Sequence, residues 1–121
     1  MFDHVTLGVH DIDAARSFYG RVMETLGHRL LWETGTMLTY GDGGEVEFGL
    51  QLDHSRSRPG THVAFRAHSR ETVRRFHEVG LASGGTDDGA PGLRPEYQSG
   101  YFAAFLSDPS GNRLEAVCHG D

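Results

Sequence analysis

The chain carries one cysteine, Cys118, in 121 residues. An intrachain disulfide is excluded, and a reducing compartment is expected. No stretch approaches the roughly 20 consecutive apolar residues of a membrane span. The first residues run straight into a strand pattern, so no signal peptide is expected. The location expected is cytoplasmic, with no membrane attachment. Basic excess is also missing: 11 Lys+Arg stand against 17 Asp+Glu, a net charge of -6. Nucleic-acid binders usually carry a basic stripe, whereas Arg70, Arg74 and Arg75 lie among acids as on one solvated helix face. No nucleic-acid partner is expected. With 37% hydrophobic and 23% charged residues, the composition argues against disorder. The length suits one domain, residues 1–121, with a core of its own. What the chain has in quantity is glycine, 17 in turn-like clusters, and histidine, eight scattered along it.

The main signal is a repeat. Asp3-His4-Val5-Thr6-Leu7-Gly8-Val9-His10 returns 58 residues later as Thr61-His62-Val63-Ala64-Phe65-Arg66-Ala67-His68. Each stretch alternates as a half-buried strand does. Asp11 or Asp13 caps a following helix carrying Ile12, Ala15, Phe18, Tyr19, Val22 and Leu26, and Gly27 ends it. Short strands then fit at about 29–34, 37–41 and 45–52. In the second half a strand at 61–67 is followed by a Ser69-capped helix with Val73, Phe76 and Val79. Strands at about 101–107 and 112–118 follow, joined by the turn Asp108-Pro109-Ser110-Gly111-Asn112. The expectation is two tandem β-α-β-β-β modules of an α+β fold, residues 1–53 and 61–121, with a polar linker at 54–60 containing Pro59. Residues 86–100 are rich in Gly and Pro and longer than the matching part of the first half. They are expected to form either a surface loop or the wall of a pocket for a small-molecule substrate, with Arg94, Tyr97 and Tyr101 as contacts.

An offset of 68 residues lays Glu45-Val46-Glu47-Phe48 over Arg113-Leu114-Glu115-Ala116. Alternation puts Val46, Phe48, Leu50 and Leu52 on a packing face and Glu47 on the other. It likewise opposes Leu114, Ala116 and Cys118 to Glu115. His4, His62, Glu47 and Glu115 then share the concave side. Two imidazoles and one or two carboxylates suit a divalent Fe, Mn, Ni, Co or Zn ion. His4, His62 and Glu115 alone would leave open coordination positions, and Glu47 would add a fourth ligand. No local metal motif such as HExxH supports this, so it rests on the repeat and the faces. His10, His68, His28, His54, His77 and His119 receive no role. Cys118 is read as an inert packing residue.

Four stretches now resemble the vicinal oxygen chelate superfamily: Asp3-His4-Val5, Ala15-Arg16-Ser17-Phe18-Tyr19, Thr61-His62-Val63-Ala64-Phe65 and Asp108-Pro109-Ser110-Gly111-Asn112-Arg113-Leu114-Glu115. That group includes glyoxalase I, bleomycin-resistance proteins, fosfomycin-resistance enzymes and extradiol dioxygenases. The resemblance implies an open, curved mixed sheet around a cavity, with modules that pair edge to edge, often as a homodimer. Glyoxalase-like members imply His4, Glu47, His62 and Glu115 as metal ligands; fosfomycin-type and dioxygenase members imply His4, His62 and Glu115. The implied activity is a metal-dependent lyase or isomerase of the glyoxalase type. It would chelate a small oxygenated substrate, with Glu47 or Glu115 as the catalytic proton carrier. Two alternatives stand beside it: a non-enzymatic, bleomycin-resistance-like binding protein, and a small Fe(II) ring-cleaving dioxygenase. Gly49 departs from many relatives, which carry a bulkier residue there, and no glutathione-binding pattern is visible.

Overall fold

A computed structural model describes residues 1–44, 46–54 and 61–120. The elements run β1 (His4–Val9), α1 (Ile12–Thr25), β2 (Arg29–Glu33), β3 (Met37–Gly41), β4 (Glu47–Leu52), β5 (His62–Arg66), α2 (Arg70–Ala82), β6 (Thr86–Leu93), β7 (Tyr101–Ser107) and β8 (Arg113–His119). This is the expected α+β arrangement of two β-α-β-β-β modules. Of the expected linker only His54 is described; the rest of it, and Glu45 in the third predicted strand, lie outside the described residues.

Local chemistry sets the helices. The Asp11 carboxylate accepts from the Asp13 and Ala14 amides, both at 3.0 Å, and so caps two free N–H groups of α1. At the other end Gly27 takes φ +87, a left-handed conformation that costs glycine little. The Ser69 hydroxyl caps α2 by accepting from the Thr72 amide at 3.1 Å. Spacings of three and four put Ala15, Phe18, Tyr19, Val22 and Met23 on the buried stripe of α1, and Val73, Phe76 and Gly80 on that of α2.

The expected sheet is realised as two four-stranded halves, ordered β1-β4-β3-β2 and β5-β8-β7-β6. In each, the first and last strands of the module run parallel and the remaining pairs are antiparallel. The alternation is obeyed within the strands, but Val46, expected on the packing face, precedes β4 and is exposed. Leu7, Val9, Phe48, Leu50, Leu114, Ala116 and Cys118 turn inward and join both helices in one shared core. The opposite face of each sheet turns away from that core.

Of residues 86–100, read from sequence as a surface loop or a pocket wall, 86–93 are not a loop: they form an edge strand, β6, laddered to β7. Two register breaks, between Asp87 and Gly89 and between Gly89 and Gly92, let a Gly-rich segment follow its partner. Pro91 is tolerated because an edge strand has N–H groups that need no ladder partner.

One network ties the modules together. Asp108 is buried and accepts from four donors: the Tyr19 hydroxyl (2.5 Å), the amides of Ser110 (2.8 Å) and Asn112 (2.9 Å), and the Asn112 side chain (2.9 Å). Asn112 also donates to the Gly8 carbonyl at 2.8 Å and accepts from the Thr61 hydroxyl at 2.9 Å. Burial and the neighbouring Asp108 charge push the Tyr19 phenol well above its ordinary range. The turn that reads locally as a hairpin therefore also latches β8 to β1 and α1.

Candidate functional site

The outward face of the second module gathers the chemistry. Glu115 lies in the middle of β8, laddered between Ala64 on β5 and Phe105 on β7. It is 3% exposed. A carboxylate this deep needs partners, and two are present. The His62 Nε2 lies 2.8 Å from Glu115 Oε1, and the Tyr101 hydroxyl donates a short hydrogen bond to Oε2. Burial first, and then the hydrogen bond to Glu115, push the Tyr101 phenol up to about 12. Tyr101 therefore stays protonated and keeps donating at physiological pH.

Aromatic rings surround this pair. The His62 ring meets Phe105 edge to face at 6.0 Å. Tyr101 meets Tyr97 at 5.2 Å and His119 at 5.3 Å. The Arg94 guanidinium lies 5.4 Å from the centre of the Phe105 ring. Beneath them Ala103, Phe105 and Val117 form a second small apolar cluster on this outward face. Arg94, Tyr97 and Tyr101, the three expected substrate contacts, thus stand on the same face as His62 and Glu115. They are held by the end of β6 and its connection to β7.

The first module differs. His4 is largely exposed, and its Nδ1 pairs with Asp3 Oδ1 at 2.7 Å. In the ladders His4 faces Glu47, whereas His62 faces Arg113. Thr6 faces Gly49, and Ala64 faces Glu115. Glu47 is therefore level with Arg113, and Gly49 is level with Glu115. The 68-residue offset that equated Glu47 with Glu115 is out of step with the strand pairing by two residues. The two-residue side-chain period of a strand hid the slip, because a shift of two keeps every side chain on the same face.

A cleft of about 650 Å³ separates the modules. Its walls are mostly apolar, with Phe2, Val5, Val46, Phe48, Val63 and Phe65 among them, and both Glu47 and His62 line it. His4 and Glu115 are not among its lining residues.

Among the described residues no group of three or more His, Cys, Asp or Glu comes together. His62 and Glu115 supply two donors side by side, while His4 is engaged with Asp3 on the other module. The described residues of one chain alone do not gather the set that a tightly held divalent ion needs. What they gather is a buried carboxylate coupled to an accessible imidazole, a pair suited to accepting and returning a proton.

Sequence reasoning missed Phe105, which carries both His62 and Arg94 on its ring. The alternation of Tyr101, Ala103 and Phe105 against Phe102, Ala104 and Leu106 held the signal, since both faces of β7 are apolar. It also missed Tyr101 as the partner of Glu115, because Tyr101 was assigned to substrate.

The Glyoxalase/Bleomycin resistance protein/Dioxygenase superfamily model matches residues 1–116. A glyoxalase/bleomycin resistance protein from Albidiferax ferrireducens T118 superposes with a TM-score of 0.85 at 29% identity, covering 97% of each chain. A glyoxalase-related enzyme from Fulvimarina pelagi has a TM-score of 0.79 at 18% identity, covering 98% of this chain and 87% of that one. A lactoylglutathione lyase from Agrobacterium tumefaciens has a TM-score of 0.70 at 20% identity, covering 98% of this chain and 92% of that one. The last two likenesses concern the fold alone. No curated protein matches the chain by sequence. With its two β-α-β-β-β modules and a match over nearly its whole length, the chain belongs to the Glyoxalase/Bleomycin resistance protein/Dioxygenase superfamily.

Proposed function

We propose that the protein is a glyoxalase-type lyase or isomerase that moves a proton beside a carbonyl of a small oxygenated substrate. One observation carries this reading: Glu115 is buried, and His62 stands 2.8 Å from it with 47% of its side chain exposed. Substrate meets the imidazole, and the carboxylate behind it fixes the ring and balances the charge the ring acquires. Tyr101 holds the other carboxylate oxygen in place. Glu115, rather than Glu47, is assigned the carboxylate role.

The working unit is proposed to be a homodimer. β1 and β5 each end their sheet with one unladdered edge, and such edges accept another strand. Exposed Phe2 and Val46 flank the first of them. With a divalent ion bound, His62 and Glu115 of one copy and His4 of the other would instead serve as its ligands, and the ion would supply Lewis-acid stabilisation of an oxyanion. This reading rests on the donor types and on their separation within one chain.

Metal analysis by mass spectrometry on tag-free protein, after chelation and reloading with Ni, Mn, Fe, Co or Zn, tests it alongside sedimentation. Expected are a dimer and stoichiometric metal lost in both His62→Ala and His4→Ala. A monomer that takes up no metal under any loading, and exchanges no substrate proton, would return the protein to ligand binding. The apolar intermodule cleft favours that second reading, a bleomycin-resistance-like binder.

A further inference from the structure

Arg94 occupies an unusual bed. It stands one residue beyond β6, and its amide donates to the Tyr101 carbonyl at 2.7 Å, which sets it level with Tyr101 on the outward face. On the same face Gly89 is laddered to Phe105 and Gly92 to Ala103. The guanidinium lies over both glycines. A Cβ added at Gly89 would come within 3.4 Å of Arg94 Nη2, and one at Gly92 within 3.0 Å of Nη1. The two missing side chains leave the room that the head group fills.

Few of its donors are used. Nη2 donates to the Ala90 carbonyl at 2.7 Å, and Nη1 makes a long 3.5 Å contact with the Leu93 carbonyl. The guanidinium Cζ lies over the Phe105 ring, 5.4 Å from the ring centre. Among the described residues no carboxylate pairs with it. A guanidinium held in place by a ring and a main-chain carbonyl, with donors to spare, is preorganised for a planar anion. The ring that supports it is the ring that His62 touches from its own side. Phe105 thus stands between Arg94 and the His62–Glu115 pair, and a ligand that meets both would run across it.

We propose that Arg94 binds the carboxylate of the substrate, which makes that substrate a small 2-oxo or 2-hydroxy acid whose α-oxygen reaches the His62 imidazole, with Glu115 behind it. The inference rests on the proton-transfer reading of those two residues and adds the substrate class. Glycines at the bulges of the edge strand are its structural means, since side chains at 89 and 92 would displace the guanidinium.

The test is an NMR titration with pyruvate and with its uncharged ester, methyl pyruvate, on wild-type protein, Arg94→Gln, Arg94→Lys and His62→Ala. Thermal melts check that each variant is folded. Expected is a preference of roughly 10- to 100-fold for the acid in the wild type, the scale of a charge-assisted pair. Arg94→Gln should abolish that preference, Arg94→Lys should keep part of it, and His62→Ala should weaken acid and ester alike. If the wild type shows no preference for the acid, or Arg94→Gln leaves the preference intact, the proposal is overturned. If His62→Ala changes neither affinity while Arg94→Gln still removes the preference, Arg94 stands as the anion site, and the reading of His62 and Glu115 on which the α-oxygen end rests falls.

Discussion

Gly49 holds on β4 the ladder position that Glu115 holds on β8: Thr6 faces the one as Ala64 faces the other. The two modules are alike in backbone and unlike in charge at that point. A Cβ at Gly49 would meet the Thr6 hydroxyl at 3.0 Å, so the position is close-packed as well as uncharged.

Glu115 and Glu47 should therefore differ sharply. Glu115→Gln is expected to lower turnover by ~100-fold or more, because His62, the proton carrier, loses the carboxylate that orients its ring and balances its charge. Glu47→Gln, level with Arg113, should stay within about a factor of three, as surface substitutions do. Steady-state kinetics on the two single variants decides. Equal losses would restore Glu47 to the site.

The intermodule latch makes a stability prediction. Asp108→Ala leaves the Tyr19 hydroxyl and the Asn112 side chain without their buried acceptor. Unsatisfied buried donors should cost about 3 kcal/mol or more. Urea denaturation followed by fluorescence and by circular dichroism should show the loss, while Glu78→Ala, on the exposed side of α2, provides the surface control.

Two glycines should respond in opposite directions to alanine. Gly20 lies inside α1 on the exposed side, and a Cβ there meets nothing within 4 Å. Gly20→Ala should stabilise by about 0.5–1 kcal/mol, because the unfolded chain loses freedom and the helix gains a better former. At Gly85 a Cβ would stand 2.7 Å from Phe18 Cε1 and 2.9 Å from the Gly80 carbonyl oxygen. Backbone cannot yield there as a side chain does, so Gly85→Ala should cost about 1–3 kcal/mol. Thermal melts of both variants check the signs.

His77 and Asp87 link α2 to the edge strand β6 at 2.8 Å, and this pair predicts a pH dependence. The hydrogen bond from His77, then that from the Gly89 amide, holds the Asp87 carboxyl below its ordinary value of 3.8. A depressed carboxyl favours the folded state fully above the ordinary value, and the benefit is lost as pH falls below it toward the folded value. The wild type should exceed Asp87→Asn in urea midpoint at pH 6, and the gap should close as pH falls below 3.8. A gap that persists unchanged at pH 2.5 would remove the ionic explanation.

The sequence by itself determined the parts that depend on near neighbours. Asp11 and Ser69 announced the helix starts, and Gly27 the end of α1, because caps and left-handed glycines act within a few residues. Alternation in β1, β4, β5 and β8 assigned the inward and outward faces, because side chains in a strand alternate whatever it pairs with. The repeated His4 and His62 and the Asp108–Glu115 stretch pointed to the family for the same reason. Tertiary structure decided what depends on distant partners. A Gly- and Pro-rich segment became β6 because β7 offered it a ladder, which local propensity does not encode. Glu47 came level with Arg113 because register is fixed across strands, and a slip of two residues leaves the one-dimensional pattern unchanged. Tyr101 closed on Glu115, and Arg94 settled over Gly89 and Gly92, only once the bulged edge of the sheet had brought residues far apart in sequence onto one face.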